Sequence, residues 1–416
     1  MQKLWNKFGD NFFSKIKIGT LEVIYTDGSK KLYGEKSENV NENEKVTLTI
    51  KNSKFFYRVA LYGDIGFAES YIDEDFETSD LTKLIQLALI NSQYLGTTSE
   101  NEKNNKFINI MPLFNKIKHT MRKNSKTNSR KNISAHYDLS NDFYKLMLDD
   151  TMMYSSAVFT HKDEDLYTAQ KNKLEKLSSK LNLKEGSNVL EIGSGWGAMA
   201  LHLANDKKCK VTTVTLSNEQ KKLCEDRFKE HSVEDKINIL LKDYRDLNGT
   251  FDAIIAVEMF EAVGKEYFHI FFKKCQELLK PNGVLVLQVI TMPDQRYKDY
   301  AKGTDFIQKY IFPGGHLPSV SKVLEITTKH TRLNLNHLEE FTEDYAKTLN
   351  IWHENFENKL DEVKKLGFDN YFIRMWKMYL NYCEAAFLTR NINLHQLVFT
   401  RDQNIDLNKG LIAWEI

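Results

Sequence analysis

The amino-acid sequence predicts an α/β protein: a doubly wound parallel sheet in its larger C-terminal part, preceded by a smaller α+β N-terminal domain. Three observations predict this. From about residue 188 onward, short apolar runs alternate with helical stretches; a glycine-rich turn joins the first such run to a helix; and the first 110 or so residues show period-two alternation with turn chemistry instead. At 416 residues with 41% hydrophobic content, the chain exceeds the usual size of one domain and has ample material for a buried core.

In the N-terminal part, Leu21-Glu-Val-Ile-Tyr25 and Val46-Thr-Leu-Thr-Ile50 alternate apolar and polar residues, and Asp27-Gly28 between them supplies a turn, so they read as paired strands. A helix follows over 81–90. Residues 115–133 hold seven Lys or Arg, His119 and no acid, which makes them a basic linker between an N-terminal domain at 1–114 and a second domain at 134–416. Such a segment is either a solvated connection or a patch that attracts anionic phospholipid head groups. Strands are expected at 189–192, 211–216, 237–241, 253–257 and 284–290, with helices between. From about Ala346 the chain reads as helical, and the aromatic-rich run at 371–387 supplies core residues.

Charge and cysteine usage narrow the function. Lys plus Arg (58) and Asp plus Glu (57) nearly cancel, which argues against wholesale nucleic-acid binding. Cys209, Cys224, Cys275 and Cys383 lie far apart with no C-x-x-C spacing, so the sequence suggests neither a metal site nor a disulfide framework and fits a reducing, cytoplasmic interior. The N-terminus lacks the apolar core of a signal peptide, and no stretch approaches the roughly 18 apolar residues of a membrane span. Action on lipid would therefore be peripheral, at the inner face of the membrane.

The segment Asn188-Val-Leu-Glu-Ile-Gly-Ser-Gly-Trp-Gly197 places Gly193, Gly195 and Gly197 between a strand and a helix, where a turn without side chains lets backbone approach a ligand. A dinucleotide site would carry G-x-G-x-x-G and an acid at the end of the second strand. Here the spacing is G-x-G-x-G and that strand ends Thr213-Val-Thr-Leu216. The form E-x-G-x-G-x-G, with Glu191 at its head, resembles class I (Rossmann-like) methyltransferases, in which it cradles the amino-acid part of S-adenosylmethionine. Ser217 to Gln220 reads as a capping box, with Ser217 accepting from the Gln220 backbone and the Gln220 side chain reaching back. After the third strand, Asp243 and Tyr244 occupy the positions at which methyltransferases hold the adenine edge and flank its face.

Further motifs sharpen the resemblance: His136-Tyr-Asp-Leu-Ser140, Tyr154-Ser-Ser-Ala157, Thr215-Leu-Ser-Asn-Glu-Gln220, Asp243-Tyr-Arg-Asp246, Met259-Phe-Glu-Ala-Val-Gly264 and Tyr310-Ile-Phe-Pro-Gly-Gly315. In that order, from about residue 134 on, the chain resembles cyclopropane fatty acid synthases and mycolic acid cyclopropane synthases. The resemblance implies transfer of a one-carbon unit from S-adenosylmethionine to the cis double bond of unsaturated acyl chains in membrane phospholipids, and dimerisation through the N-terminal domain. It implies cofactor contacts from Tyr154, Ser155, Gly193, Thr215, Leu216, Gln220 and Tyr244.

In that family a bound bicarbonate removes the proton that closes the ring, held by a cysteine, a glutamate, a histidine, an isoleucine backbone and a tyrosine. The corresponding positions are Ser156, Glu261, Gln288, Ile290 and Tyr345, so the cysteine and the histidine are replaced. Glu258, three residues before Glu261, has no counterpart in that cage. His136 and His316 occupy no cage position and read as structural or cofactor-proximal. The replacements leave open a methylene- or methyl-branched product in place of a cyclopropane. A small-molecule N-methyltransferase, or a lipid-binding protein without activity, are the readings from other classes.

Overall fold

The computed structural model describes residues 2–34, 45–96, 140–402 and 404. The basic segment 115–133 and His136 lie outside the described residues.

The N-terminal part begins with helix α1 (Gln2–Phe13) and a four-stranded sheet of order β2-β1-β3-β4, formed by Thr20–Ile24, Lys30–Gly34, Lys45–Ile50 and Phe76–Thr78. The Asp27-Gly28 turn closes a hairpin: Gly28 takes φ 79°, and an Asp27 carboxylate oxygen accepts from the Ser29 N–H at 3.0 Å. β1 then pairs in parallel with β3, Leu21 opposite Val46. Leu21, Val23, Val46, Leu48 and Ile50 are all buried, as the alternation requires. Helix α2 (Lys54–Ile72) escaped the sequence reading because Gly63, at φ 57°, interrupts its helical backbone. Helix α3 (Leu81–Ile90) is capped by Asp80, whose side chain accepts from the Lys83 N–H.

The large sheet has seven strands in the order β10-β11-β9-β8-β5-β6-β7. They are Asn188–Ile192 (β5), Lys210–Thr215 (β6), Ile237–Leu241 (β7), Phe251–Val257 (β8), Leu279–Thr291 (β9), Leu333–Glu340 (β10) and Asn393–Arg401 (β11). The five from β5 to β9 run parallel, while β11 joins β9 and β10 antiparallel. Helices α4 (Leu166–Ser179), α5 (Ala198–Asn205), α6 (Asn218–Glu230), α7 (Phe268–Leu278) and α8 (Val320–His330) accompany these strands, followed by α9 (Thr342–Asn358) and α10 (Asn370–Leu388). The reading of the whole region after Ala346 as helical is corrected here: β11 is a strand. Its residues 394–400 are buried without a break, so no period-two alternation betrays it.

The chain goes from β5 outward through β6 and β7, then returns to the other side of β5 as β8. That reversal opens a crevice beyond the carboxyl ends of β5 and β8, the place where doubly wound sheets bind ligands. The N-terminal elements pack on α10. Thr82 of α3 donates to Asn381 at 2.8 Å and to Glu384 at 3.0 Å, and the Arg374 guanidinium donates to the Tyr71 carbonyl of α2 at 2.7 Å. Among the described residues no helix is long and apolar enough to cross a membrane.

Candidate active site

The crevice holds a cavity walled by Tyr154, Ser155, Glu191, Gly193, Gly195, Thr215, Leu216, Gln220, Asp243, Tyr244 and Glu258, among others. Ten of the eleven cofactor residues expected from the sequence stand in that wall; Gly197 lies just behind, as the cap of α5. Gly193, Gly195 and Gly197 have φ of 97°, 49° and 89°. A Cβ on Gly193 would meet Met259 at 2.9 Å, and one on Gly197 would meet Phe228 at 2.8 Å, so at those two positions both backbone and packing demand glycine. Gly195 has open space around it, on the ligand side.

Glu191 lies under the turn and accepts from the Thr213 hydroxyl at 2.5 Å. Burial with that single partner pushes its pKa up to about 8, so it is protonated at neutral pH. The capping box forms by half. Ser217 accepts from the Gln220 N–H at 3.3 Å, but the Gln220 side chain accepts from the Thr215 hydroxyl at 2.7 Å, which fixes the end of β6 instead of the cap. Asp243 engages Arg245 through both carboxylate oxygens, at 2.8 and 2.6 Å. The Tyr244 ring packs edge-on against Phe271, and its buried hydroxyl has no hydrogen-bond partner in the structure. The open space beside Gly195, where a Cβ would meet no atom within 4 Å, fits a ligand that approaches the backbone of the turn, as an adenosyl compound does.

At the end of β8 the chain turns through Glu258, at φ 49°. The Glu258 N–H donates to the Gln288 carbonyl at 2.8 Å, continuing the β8–β9 ladder and putting the two side chains beside each other. The Glu258 carboxylate then collects three donors: the Ser156 N–H at 2.9 Å, the Gln288 amide at 2.8 Å and the Tyr345 hydroxyl at 2.6 Å. Gln288 is itself held, accepting from the Gln396 amide at 2.9 Å. Ser156, Gln288 and Tyr345 are thus brought together as the sequence expected, but around a carboxylate it left out. Glu261 stands apart from those three: it accepts from the Ile290 N–H at 2.5 Å, its second oxygen is buried without a partner, and the backbone of His316 donates to its carbonyl at 2.8 Å.

Two neighbouring carboxylates divide the charge unequally. Burial and then the charge of Glu258 push Glu261 up to about 8, so it holds its proton at neutral pH. Burial also raises Glu258, opposed by its hydrogen bonds from Tyr345 and Gln288 and by the charge of Lys173. With three donors on Glu258 and one on Glu261, Glu258 carries the negative charge. Burial and the adjacent Glu258 charge hold the Tyr345 phenol well above its ordinary value, so it remains a donor. The expectation of a separate bicarbonate meets a physical obstacle: the donors that would bind it already satisfy Glu258, and a second anion there would face that charge. These residues do not fit the ion.

Tyr154, in the cavity wall, is backed by further aromatic side chains. The Tyr154 hydroxyl donates to Tyr379 of α10 at 2.7 Å, and its ring lies 5.3 Å from that of Trp352 and 6.5 Å from that of Phe312. No cluster of His, Cys, Asp and Glu among the described residues could hold a metal ion.

Comparison with known proteins supplies the family. The profile described as mycolic acid cyclopropane synthetase matches residues 124–397. The chain is 35% identical over 352 residues to the tuberculostearic acid methyltransferase UfaA1 of Mycobacterium tuberculosis, covering 83% of this chain and 81% of that one. It is 36% identical over 372 residues to the cyclopropane-fatty-acyl-phospholipid synthase of Escherichia coli, covering 87% and 90%. Among solved structures, the cyclopropane synthase MmaA2 of Mycobacterium tuberculosis superposes with a TM-score of 0.62 at 30% identity, over 65% of this chain and 98% of that one. The chain belongs to the mycolic acid cyclopropane synthetase family and is an S-adenosylmethionine-dependent C-methyltransferase with the class I fold.

Proposed function

We propose that this enzyme adds a one-carbon unit to the cis double bond of unsaturated acyl chains in membrane phospholipids and forms a cyclopropane by losing a proton to Glu258. The observation that carries the reading is the Glu258 carboxylate, fixed by Ser156, Gln288 and Tyr345 and lining the cavity. The phospholipid substrate rests on the relative from Escherichia coli, which bears that substrate in its name. Peripheral placement at the inner face of the membrane and a homodimer belong to the same reading.

S-adenosylmethionine supplies an electrophilic methyl group. Tyr154, Ser155, Glu191, Gly193, Gly195, Gly197, Thr215, Leu216, Gln220, Asp243 and Tyr244 would hold it, at the turn and along the cavity wall. An alkene carbon bonds to the methyl carbon as the sulfur–carbon bond breaks, which leaves positive charge on the other alkene carbon. Glu258 stabilises that charge electrostatically, and the Tyr154 ring in the cavity wall adds cation–π attraction. Glu258 then takes a proton from the added methyl, and the released electron pair closes the ring. Tyr345, Gln288 and the Ser156 N–H keep the carboxylate aimed, while Ile290 holds the protonated Glu261 aside. A pKa raised by burial makes Glu258 a stronger base than a solvated carboxylate.

A second reading, a methylene-branched chain, is favoured by one observation: the base is a fixed protein side chain where the family's cage would hold a free ion. If a hydride shifts from the methylated carbon to its neighbour before Glu258 acts, loss of a proton from the same methyl gives a methylene branch on the acyl chain. UfaA1 is named a tuberculostearic acid methyltransferase, not a cyclopropane synthase. The deciding experiment incubates the purified protein with S-adenosylmethionine and vesicles of mono-unsaturated phospholipid, followed by gas chromatography and proton NMR of the released fatty acids. Cyclopropane protons are expected. Vinylidene protons would install the second reading, and unchanged vesicles beside turnover of an amine substrate would overturn both.

A further inference from the structure

Lys173, in the middle of α4, is 0% exposed. Its ammonium donates to the Ser155 hydroxyl oxygen at 2.7 Å, and among the described residues the carboxylates of Glu258 and Asp149 act on it only through their charge, with no ion pair formed. One turn earlier on the same helix face, the Gln170 amide donates to the Ser155 carbonyl at 3.0 Å. Two side chains of α4 therefore grip one serine, by its hydroxyl and by its backbone. That serine is in the cofactor cavity wall, and the next residue, Ser156, donates its N–H to Glu258.

A buried ammonium with a single hydrogen bond is costly unless charge nearby repays it. Burial brings Lys173 down to about 7, against the opposing pull of the Glu258 and Asp149 charges. The same charge acts in return on Glu258, favouring its ionised form. No step of the reaction as described uses this group.

We propose that Lys173 is a positioning residue with two effects: it fixes Ser155 so that the hydroxyl proton points into the cofactor cavity toward an anionic group of the ligand, and its positive charge keeps Glu258 in the basic form. The second effect rests on the reading of Glu258 as the base. The charged and titratable groups facing the pair are Asp149 and Glu258 around Lys173, and Tyr345, Glu261 and Lys173 around Glu258. The sign follows directly. Without the ammonium, the Glu258 carboxylate is harder to ionise, so its pKa rises and activity is lost at a higher pH on the acid side. On the alkaline side, the wild-type enzyme loses the effect as Lys173 itself deprotonates.

The test measures single-turnover rates against pH at saturating S-adenosylmethionine, and S-adenosylhomocysteine affinity by calorimetry, on the full chain. Lys173→Met is expected to move the acid limb upward by about one pH unit and to weaken S-adenosylhomocysteine about tenfold. Ser155→Ala is expected to weaken S-adenosylhomocysteine similarly and leave the acid limb in place. Lys173→Arg, which keeps the charge but not the geometry, restores the acid limb without restoring the affinity. If Lys173→Met does not fold, Lys173→Gln serves as the neutral variant. An acid limb and an affinity both within about twofold of wild type in a folded neutral variant overturn the proposal. Full turnover by Glu258→Gln would instead overturn the base assignment, and the affinity arm then judges Lys173 and Ser155 alone.

Discussion

The glycine turn at 193–197 and the carboxylate held by Ser156, Gln288 and Tyr345 lie at the ends of neighbouring strands, β5 and β8, and are built in opposite ways. The turn is one continuous segment whose conformation is dictated by its own residues. The carboxylate cage joins pieces of chain separated by 102, 30 and 87 residues, and its geometry depends on how β8, β9 and α9 meet. A local device tolerates drift elsewhere in the fold, whereas a composite one fixes its central group only if every contributing element is in register. In the proposed reading, the turn binds and the cage decides the chemistry.

The most consequential way to break that comparison is to neutralise in turn the acid at the centre of the cage and Glu261 beside it. Glu258→Gln leaves a neutral amide in place of the base, and product formation should fall by about 10²- to 10⁴-fold with cofactor affinity nearly kept. Glu261→Gln replaces a carboxyl group that is protonated at neutral pH, and its amide oxygen can still accept from Ile290. Turnover should stay within about tenfold of wild type. Rates of fatty-acid product formation measured on both variants decide it: the reverse order would return the central role to Glu261. The wild-type rate should also fall on acidification, as Glu258 takes up a proton at a pH above the ordinary carboxylate range.

These expectations mark what the sequence made legible. The parallel strands, the glycine turn and α3 follow from patterns a few residues long, and the residues expected at the cofactor line one cavity. Ser156, Gln288 and Tyr345, carried over from the family's cage, come together on one carboxylate, while Ile290 meets Glu261. That carboxylate, Glu258, was not legible, because spacing alone sets it beside Glu261 on one face of a helical turn, whereas its positive φ at the strand end sends it into the cage by itself. The signal available was chemical: where Ser156 and Gln288 replace two residues of an anion cage, a new acid nearby in sequence is a candidate for the missing charge. β11 was missed for the opposite reason, since a strand buried on both faces shows no alternation.

Within the turn, a smaller contrast sharpens the same point. Gly197→Ala places a Cβ 2.8 Å from Phe228 at φ 89° and should destabilise the protein by about 1–3 kcal/mol, read as a lower midpoint of chemical denaturation. Gly195→Ala meets no atom within 4 Å and carries only the backbone strain of φ 49°, so it should cost less stability than Gly197→Ala and act also on S-adenosylhomocysteine affinity. Equal effects on stability would show that both glycines serve the fold alone.

Glu191 offers a test of the turn's electrostatics. Its folded pKa, about 8, is above the unfolded value, so the folded state binds the extra proton and stability falls as pH rises from the ordinary carboxylate range toward 8. Glu191→Gln removes that dependence. Compared by denaturant melts at pH 5 and pH 7.5 without ligand, the variant should gain on wild type by roughly 2–4 kcal/mol at the higher pH. A constant difference across that range would mean that Glu191 is not protonated in the folded protein.

The smallest expected effect concerns Ser217, whose hydroxyl caps α6 by accepting from the Gln220 N–H while its own N–H donates to the Thr215 hydroxyl. Ser217→Ala removes only the first of these and should cost about 1 kcal/mol of stability, with Ser217→Asp restoring the cap. Because the Gln220 side chain is committed to Thr215 and not to the cap, the cofactor wall should survive, leaving kcat and S-adenosylhomocysteine affinity within about twofold of wild type. Denaturant melts and calorimetry on the alanine variant separate the two outcomes. A loss of affinity larger than the loss of stability would show that the helix cap and the end of β6 act as one unit, extending the cofactor site beyond the glycine turn.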